Sequence, residues 1–222
     1  MVTLFISDLH LDESRPAVTH ALFDFLHCIA GQCHALYILG DLFESWIGDD
    51  DDAPLCDHVR LALRALSATG PRVYFMHGNR DFLVGEEFCR RSGVILLPEP
   101  TCIDLCGEKT ILLHGDSLCT KDTDYQSFRA RVRDQDFQAE ILAQPLQQRR
   151  ELATQLRDMS ADATSNKAAD IMDVTPEEVV DMMHQHGAGR LIHGHTHRPA
   201  RHQVALDNRT GERIVQIGRA HV

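Results

Sequence analysis

The sequence predicts an α/β fold with a buried sheet and one helical insertion, on three observations. Short apolar runs recur at Val2 to Ile6, Ala35 to Leu39, Val73 to Met76, Ile111 to Leu113 and Leu191 to Ile192. Helical spacing fills most of the chain between them, and continuous apolar runs alternating with helices are what a sheet covered on both faces requires. Residues 118–186 then break the rhythm: they hold no strand-like run and are rich in Gln, Ala, Asp and Arg. One domain over residues 1–222, carrying a helical insertion at about 118–186, accounts for all three, and a hydrophobic content of 43% is ample for its core.

The first helix is expected to start near Pro16, to carry Val18, Leu22, Phe25, Leu26 and Ile29 on one face, and to stop at Gly31. Proline in the first turn and glycine past the last follow the usual asymmetry of helix ends. A second helix, Pro54 to about Ala68, closes at Gly70-Pro71 in the same way, and a third runs from about Gly85 to Arg91. Within the insertion Phe128 with Val132, Phe137 with Ile141, and Leu152 with Leu156 keep a four-residue spacing, with breaks expected at Pro145 and over Ser160 to Asn166. Thr175-Pro176-Glu177-Glu178 reads as an N-cap with acidic residues in the first turn, opening a return helix to about His186. His184 and His186 fit the negative end of that helix. Asn208 to Gly211 is expected to turn a final hairpin.

Lys and Arg number 22 against 33 Asp and Glu, for a formal net charge of -11. That excludes a nucleic-acid binder held by a basic surface, because phosphate contacts need clustered cations. No apolar run approaches the roughly 20 residues of a membrane span, and Met1 to Asp8 lacks the basic and apolar regions of a signal peptide. A cytoplasmic location is the expectation. Seven cysteines, an odd number with no Cys-x-x-Cys pair, read as reduced thiols.

Five segments end an apolar run with a metal-binding residue type: Ser7-Asp8-Leu9-His10, Gly40-Asp41, His77-Gly78-Asn79-Arg80-Asp81, His114-Gly115-Asp116, and His193-Gly194-His195-Thr196-His197. In open α/β sheets ligands gather at the carboxyl ends of strands, so all five can converge on one edge. Residues two apart in an extended chain point the same way, which would aim Asp8 with His10, and His195 with His197, at one place. Any of these alone reads as a turn aspartate or a packed histidine; five together read as a metal centre. Asp8, His10, Asp41, Asn79, His114, His195 and His197 are seven side-chain donors, more than one ion needs. Asp41 is the natural bridge between two ions, because its two oxygens can each take one. Imidazole, carboxylate and amide together suit Mn, Fe or Zn better than Ca or Mg. Fourteen histidines in an acidic chain thereby acquire a purpose for four of them, while His77 and His193 could support the site from behind. Asp49 to Asp52 lack the spacing and glycine of a calcium loop and read as a solvated loop.

The blocks Asp8-x-His10, Gly40-Asp41, Gly78-Asn79-x-Asp81, His114-Gly115-Asp116 and Gly194-His195-Thr196-His197 resemble, in order and across almost the whole chain, the signature of calcineurin-like metallophosphoesterases. The resemblance implies an αββα two-sheet sandwich with two divalent ions at one edge. Asp8, His10, Asp41 and His197 would hold one; Asp41, Asn79, His114 and His195 would hold the other. Many members carry histidine, a proton donor to the leaving group, where this chain has Arg80; arginine is no acid near neutral pH, but its fork suits a phosphate oxygen.

The fuller stretches Gly40-Asp41-Leu42-Phe43-Glu44-x-Trp46-Ile47-Gly48-Asp49-Asp50, Gly78 to Leu83 and Leu113 to Tyr125 resemble the branch of that family that cleaves UDP-2,3-diacylglucosamine in lipid A biosynthesis. This implies a Mn-dependent pyrophosphohydrolase: water attacks the α-phosphorus and yields UMP and 2,3-diacylglucosamine 1-phosphate. Asp41, Asn79, Arg80 and His195 would be catalytic, and Asn79, Arg80, Asp122, Ser160, Thr164, Lys167 and His195 would line the substrate site; Thr164 stands where the branch more often carries Asn. The insertion would be a lid over the acyl chains, using Phe128, Val132, Phe137, Ile141, Leu142, Leu146, Leu152, Leu156 and Met159. Residues 121–170 hold eight basic and nine acidic groups, so this is the part least repelled by an anionic membrane, and Arg129, Arg133, Arg149, Arg150 and Arg157 could touch lipid. The expectation is a monomer, peripheral on the cytoplasmic face of the inner membrane, with no nucleic-acid partner. A soluble nucleotide phosphodiesterase and a non-catalytic scaffold on the same fold are the alternatives. The chain also diverges from the family after Arg213-Ile214-Val215.

Overall fold

The computed structural model describes residues 2–165, 171, 173–207 and 209–215, with the side chains of 160–165 and 209 outside the description. β1 (Val2–Ile6), β2 (Cys33–Leu39), β3 (Arg72–Met76) and β4 (Ile95–Leu97) form one sheet in that order, all parallel. A second, mixed sheet has the order β5 (Thr101–Leu105), β6 (Glu108–Leu112), β7 (Arg190–His193), β9 (Arg209–Val215), β8 (Ala200–Leu206). Here β6, β7 and β9 run parallel, and β5 and β8 are antiparallel edges.

Side-chain alternation along the first sheet explains the layering. Leu36 and Ile38 of β2, with Val73 and Phe75 of β3, join a cluster with Leu22 and Leu26 of α1 (Pro16–Ile29) and Val59 and Leu63 of α2 (Pro54–Ala68). The intervening Tyr37, Leu39 and Met76 point the other way, into a cluster with Ile111, Leu112 and Leu191 of the second sheet. Phe5, Tyr37 and Tyr74 stack across the three parallel strands at centroid separations of 5.2 and 4.6 Å. Val179 and Met183 of α7 (Pro176–His186) bury into the second cluster and complete an αββα sandwich. Both Pro16 and Pro54 sit in first turns, and α3 (Glu86–Ser92) ends on Gly93 in the left-handed conformation.

The structure corrects several expectations. β4 and β5 were not among the expected strands: β4 is a short apolar segment of three residues, and β5 has alternate residues exposed. The insertion is narrower than 118–186. It comprises α4 (Thr123–Val132), α5 (Gln135–Leu142) and α6 (Leu146–Ser165), while α7 belongs to the sandwich. α6 runs through to Ser165 with no break at Ser160, because alanine favours a helix and Ser and Asp are tolerated within one. Thr175 makes no side-chain cap; its hydroxyl accepts from Thr120 Oγ1 instead. The last hairpin turns before β9 begins at Arg209, since Gly211 already pairs with Val204; Asn208 lies outside the described residues. All seven cysteines are free. Among the described residues no helix is long and apolar enough to cross a membrane.

Asp49 to Asp52 are a solvated loop only in part: Asp50 and Asp52 are exposed, but all four carboxylates have partners. Asp49 accepts from Trp46 Nε1 and from the amides of Gly85 and Phe88, at 3.1, 3.0 and 2.8 Å. Asp50 takes both guanidinium nitrogens of Arg149, and Arg150 bridges Asp51 and Asp52. The insertion's arginines therefore turn inward: Arg157 faces Asp12, and Arg129 and Arg133 face Glu99 and Asp116. Five cations that helical spacing alone would leave for solvent or lipid are paired with carboxylates, buried at Asp116 and exposed at Asp50 and Asp52.

Candidate metal centre

Parallel strands place their carboxyl ends on one edge, and the loops leaving β1, β2, β3, β6 and β7 carry all seven predicted donors there. Short backbone bonds zip the loops together: Asp8 N–H donates to Gly40 O, His10 N–H to Asp41 O, and Gly194 N–H to His114 O, at 3.1, 3.0 and 2.7 Å. Across the two sheets His195 N–H donates to the Asp8 carboxylate at 3.0 Å. Gly78 is required for this packing, because a Cβ there would fall on the backbone amide and carboxylate of Asp41.

Among the described residues six non-glycines have positive φ, and five of them are predicted donors: Asp8 (57°), His10 (50°), Asp41 (52°), His195 (66°) and His197 (54°). Such a conformation costs an L-residue on the order of 1 kcal/mol, and it collects where function overdetermines the backbone. The finding also corrects the expected extended geometry. Asp8 with His10, and His195 with His197, converge through left-handed turns and not through the alternation of a strand.

The donor atoms fall into two groups. His10 Nε2 lies 3.1 Å from His197 Nε2, and His197 Nε2 lies 3.5 Å from Asp8 Oδ1. Asn79 Oδ1 lies 3.0 Å from both His114 Nε2 and His195 Nδ1. Asp41 Oδ2 stands between the groups, 3.6 Å from His10 Nε2 and 3.8 Å from His114 Nε2. Asp8, His10 and His197 can converge on one ion, as can Asp8, Asp41 and His114. Two imidazole nitrogens facing each other at 3.1 Å, with carboxylate oxygens beside them, form a donor set that a divalent cation satisfies and protons serve poorly.

The electrostatics point the same way. Asp8, Asp41, Asp81 and Asp116 are all buried. Burial opposes the charge on Asp8, yet hydrogen bonds from His197 and Ser7 and the charge on His114 hold it at about 2. Burial likewise opposes a charged His114, but Asp41, Asp116 and Asp8 pull it up to about 9. Burial and the neighbouring His114 push His195 down to about 4. A region this rich in carboxylate demands positive charge.

Four supporting carboxylates had no assigned role in the sequence reading. Asp81, fully buried, accepts from Gly78 N–H and Leu42 N–H at 2.7 Å and from Asp41 N–H at 3.2 Å, joining the loops after β2 and β3. Glu44 lies 3.0 Å from His10 Nδ1 and orients that ring. Glu99 accepts from His114 N–H at 2.8 Å, and Asp116 from the Tyr125 hydroxyl at 2.9 Å. Asp81 and Asp116 were visible within the motif blocks. Glu99, far from any block, carried no signal. His77 Nε2 donates to Val84 O, 2.7 Å away, and His193 is buried behind Gly194.

Of the predicted substrate residues, Asn79 and His195 sit in the centre. Arg80 donates its backbone N–H to Asp41 Oδ1 at 2.8 Å and keeps its guanidinium near Glu44. Asp122 caps α4 through Tyr125 N–H. Lys167 and the side chains of Ser160 and Thr164 lie outside the described residues.

The profile of the calcineurin-like phosphoesterase family matches residues 1–199. Three curated relatives, each called UDP-2,3-diacylglucosamine hydrolase, align over 97% of this chain. The protein of Cellvibrio japonicus is 56% identical with 90% of its length covered, that of Chromohalobacter salexigens 54% with 87%, and that of Marinobacter nauticus 53% with 88%. With the profile spanning nine-tenths of the sequence and the strand-end loops converging as its motifs require, the chain belongs to the calcineurin-like phosphoesterase family.

Proposed function

We propose that the chain hydrolyses the pyrophosphate bond of UDP-2,3-diacylglucosamine, giving UMP and 2,3-diacylglucosamine 1-phosphate in lipid A biosynthesis. The observation that carries this reading is identity above 50%, over almost the full chain, to relatives named for that substrate. The seven-donor edge supports it, since phosphoric anhydride hydrolysis is chemistry that such a donor set serves.

Asp8, His10, Asp41 and His197 would hold one divalent ion, and Asp41, Asn79, His114 and His195 the other, with Mn the candidate on donor chemistry. Bound there, the ions supply Lewis acidity, which makes water a nucleophile near neutral pH and offsets charge on phosphate oxygens. The chain's own residues do the rest. Asp41 keeps Oδ2 toward both donor groups while its Oδ1 fixes the backbone of Arg80. That bond holds the Arg80 fork at the rim, where it can take a diphosphate oxygen. Asn79 and His195 face the same space, and Asp122, Ser160, Thr164 and Lys167 are the proposed contacts to the nucleotide and sugar. Phe128, Phe137 and Leu152 pack on the cluster that includes Trp46 and Phe82, which suits α4 to α6 as a cover for acyl chains. Among the described side chains of the insertion, Leu142 and Met159, 42% and 67% exposed, are large apolar groups available to a membrane surface; a monomer peripheral to the cytoplasmic face of the inner membrane is the expected state.

The test is turnover of UDP-2,3-diacylglucosamine and its deacylated analogue with Mn in oxygen-18 water. Label in UMP, and strong preference for the acylated substrate, are expected. Label in the sugar phosphate would overturn attack at the α-phosphorus. Equal turnover of both substrates would favour a soluble nucleotide phosphodiesterase, and metal binding without any turnover a scaffold.

A further inference from the structure

Tyr125 and Arg129 of α4 and Arg133, the residue that caps its C-terminus, recur every four residues and so share one face. Between them they reach three loops of the centre, and Tyr125 and Arg129 share Asp116. Tyr125 gives its hydroxyl to Asp116, two residues past His114, and sets its ring 5.7 Å from that of His195. Arg129 spans two carboxylates: its Nε lies 3.0 Å from Asp116 Oδ2, and its NH2 donates to Glu99 Oε2 at 2.8 Å. The other Glu99 oxygen accepts the backbone N–H of His114 itself. Arg133 donates to His77 O and Gly78 O at 3.3 and 3.1 Å, on the two residues that precede Asn79. The face of α4 thus meets the loops of Asn79, His114 and His195. The other donor group is held by different residues: Ser7 on Asp8, Glu44 at His10, and from α6 Arg157 facing Asp12.

The geometry points to α4 as the positioning element for one of the two cation sites, that of Asn79, His114 and His195, with Arg129 its pivotal residue. This rests on the two-ion reading above and adds to it an unequal dependence of the sites on the insertion. Arg129 touches neither ion nor substrate in this assignment; it acts through Glu99 and Asp116 on the backbone that carries His114. Both carboxylates lie largely out of solvent, at 11% and 0% exposure. Removing the guanidinium takes away the short cationic contact of both and leaves them the longer approach of Arg133, at 4.0 and 3.9 Å, so the His114 loop is less firmly held. Outer groups that orient metal ligands typically change affinity by roughly 10–100-fold.

The experiment titrates Mn(II) into the full chain and into Arg129→Met and Arg129→Lys, by calorimetry and by electron paramagnetic resonance. Unfolding of each in EDTA provides the check on the apo fold. The expected result is two ions in the wild type as a spin-coupled pair. In Arg129→Met one site should be retained and the other weakened roughly 10–100-fold, with an uncoupled Mn spectrum. Arg129→Lys should recover part of the loss, since it keeps the charge without the fork. Equal weakening of both sites, or unchanged binding, would overturn the inference. A wild type that takes only one ion would overturn the two-ion reading itself, so the two failures are distinct.

Discussion

The strand-end centre and the helical insertion are both rich in charge, but they hold it by opposite means. In the centre, carboxylates are buried and satisfied by backbone amides: Asp81 alone ties the loops after β2 and β3, and five left-handed residues fix the directions of the donors. In the insertion, attachment runs through long side chains. Arg149 donates to Ile47 O and Gln144 O as well as to Asp50, while Arg150 and Arg157 reach exposed or half-exposed carboxylates. Backbone-held geometry is rigid, whereas guanidinium clasps are adjustable and sensitive to the medium. The former suits a site that must hold ions, and the latter would suit the proposed cover over the substrate.

The largest test of that contrast is Asp41→Asn. Asparagine tolerates positive φ and keeps the side-chain shape, so the fold should survive. The shared Oδ2 loses its charge, and Lewis-acid assistance worth several kcal/mol goes with it, a fall in turnover on the order of 10³-fold or more. Steady-state rates at saturating Mn check this; retention of a tenth of the wild-type rate would contradict a bridging Asp41.

Asp81→Asn is the matching test of the backbone-held network. The amide NH2 would face amides that themselves donate, and buried donors left unpaired cost about 1–3 kcal/mol. For a chain of this length each kcal/mol lowers the midpoint by roughly 2–4 °C, so a melt several degrees lower is expected, together with weakened Mn binding. An unchanged midpoint would mean that the loops hold themselves.

On the insertion side, Arg149→Met should act locally. Its side chain is only 4% exposed, and methionine preserves packing while removing the bonds to Asp50, Ile47 O and Gln144 O. Amide exchange in α6 should speed up while β2 and β3 stay protected. Acceleration in all three would show that the insertion and the sandwich unfold as one unit.

The same contrast explains what was legible in the sequence. α1 and α2 announce themselves by Pro16 and Pro54, and each strand leading to the centre has an apolar run, because burial on both faces leaves no room for polar residues. The seven donors were legible because they follow those runs directly. What stayed hidden depends on distance along the chain. Glu99 pairs with an arginine 30 residues away, and the Asp49 to Asp52 stretch with arginines about a hundred residues away, so neither leaves a local pattern. The left-handed turns at Asp8 and His195 were hidden for another reason: aspartate and histidine enter that region without glycine only when tertiary contacts impose it.

The smallest effect separates the two regions by their response to solvent. Hydrogen bonds from Arg149 hold the Asp50 carboxyl below its ordinary range, and those of Ser14, outweighing burial, do the same for Asp12 opposite Arg157. Because these folded-state values are depressed, the stabilisation is fully present above the ordinary carboxylate value of 3.8 and is lost as pH falls through the lower, folded values. Asp8 titrates in the same direction, so acid alone does not tell clasp from centre. Salt does. The Asp50 side chain is 61% exposed, and at 1 M ionic strength the screening length is about 3 Å, comparable to the ion-pair distances themselves. The buried Asp8 and Asp81 contacts are screened much less. At neutral pH, 1 M sodium chloride should therefore raise amide exchange in α6 about two- to threefold, in line with the few tenths of a kcal/mol typical of exposed pairs, and leave exchange at Leu42 and Gly78 unchanged. Salt sensitivity appearing equally at Leu42 would mean that the centre, too, is held by charges open to solvent, and the division between the two regions would fail.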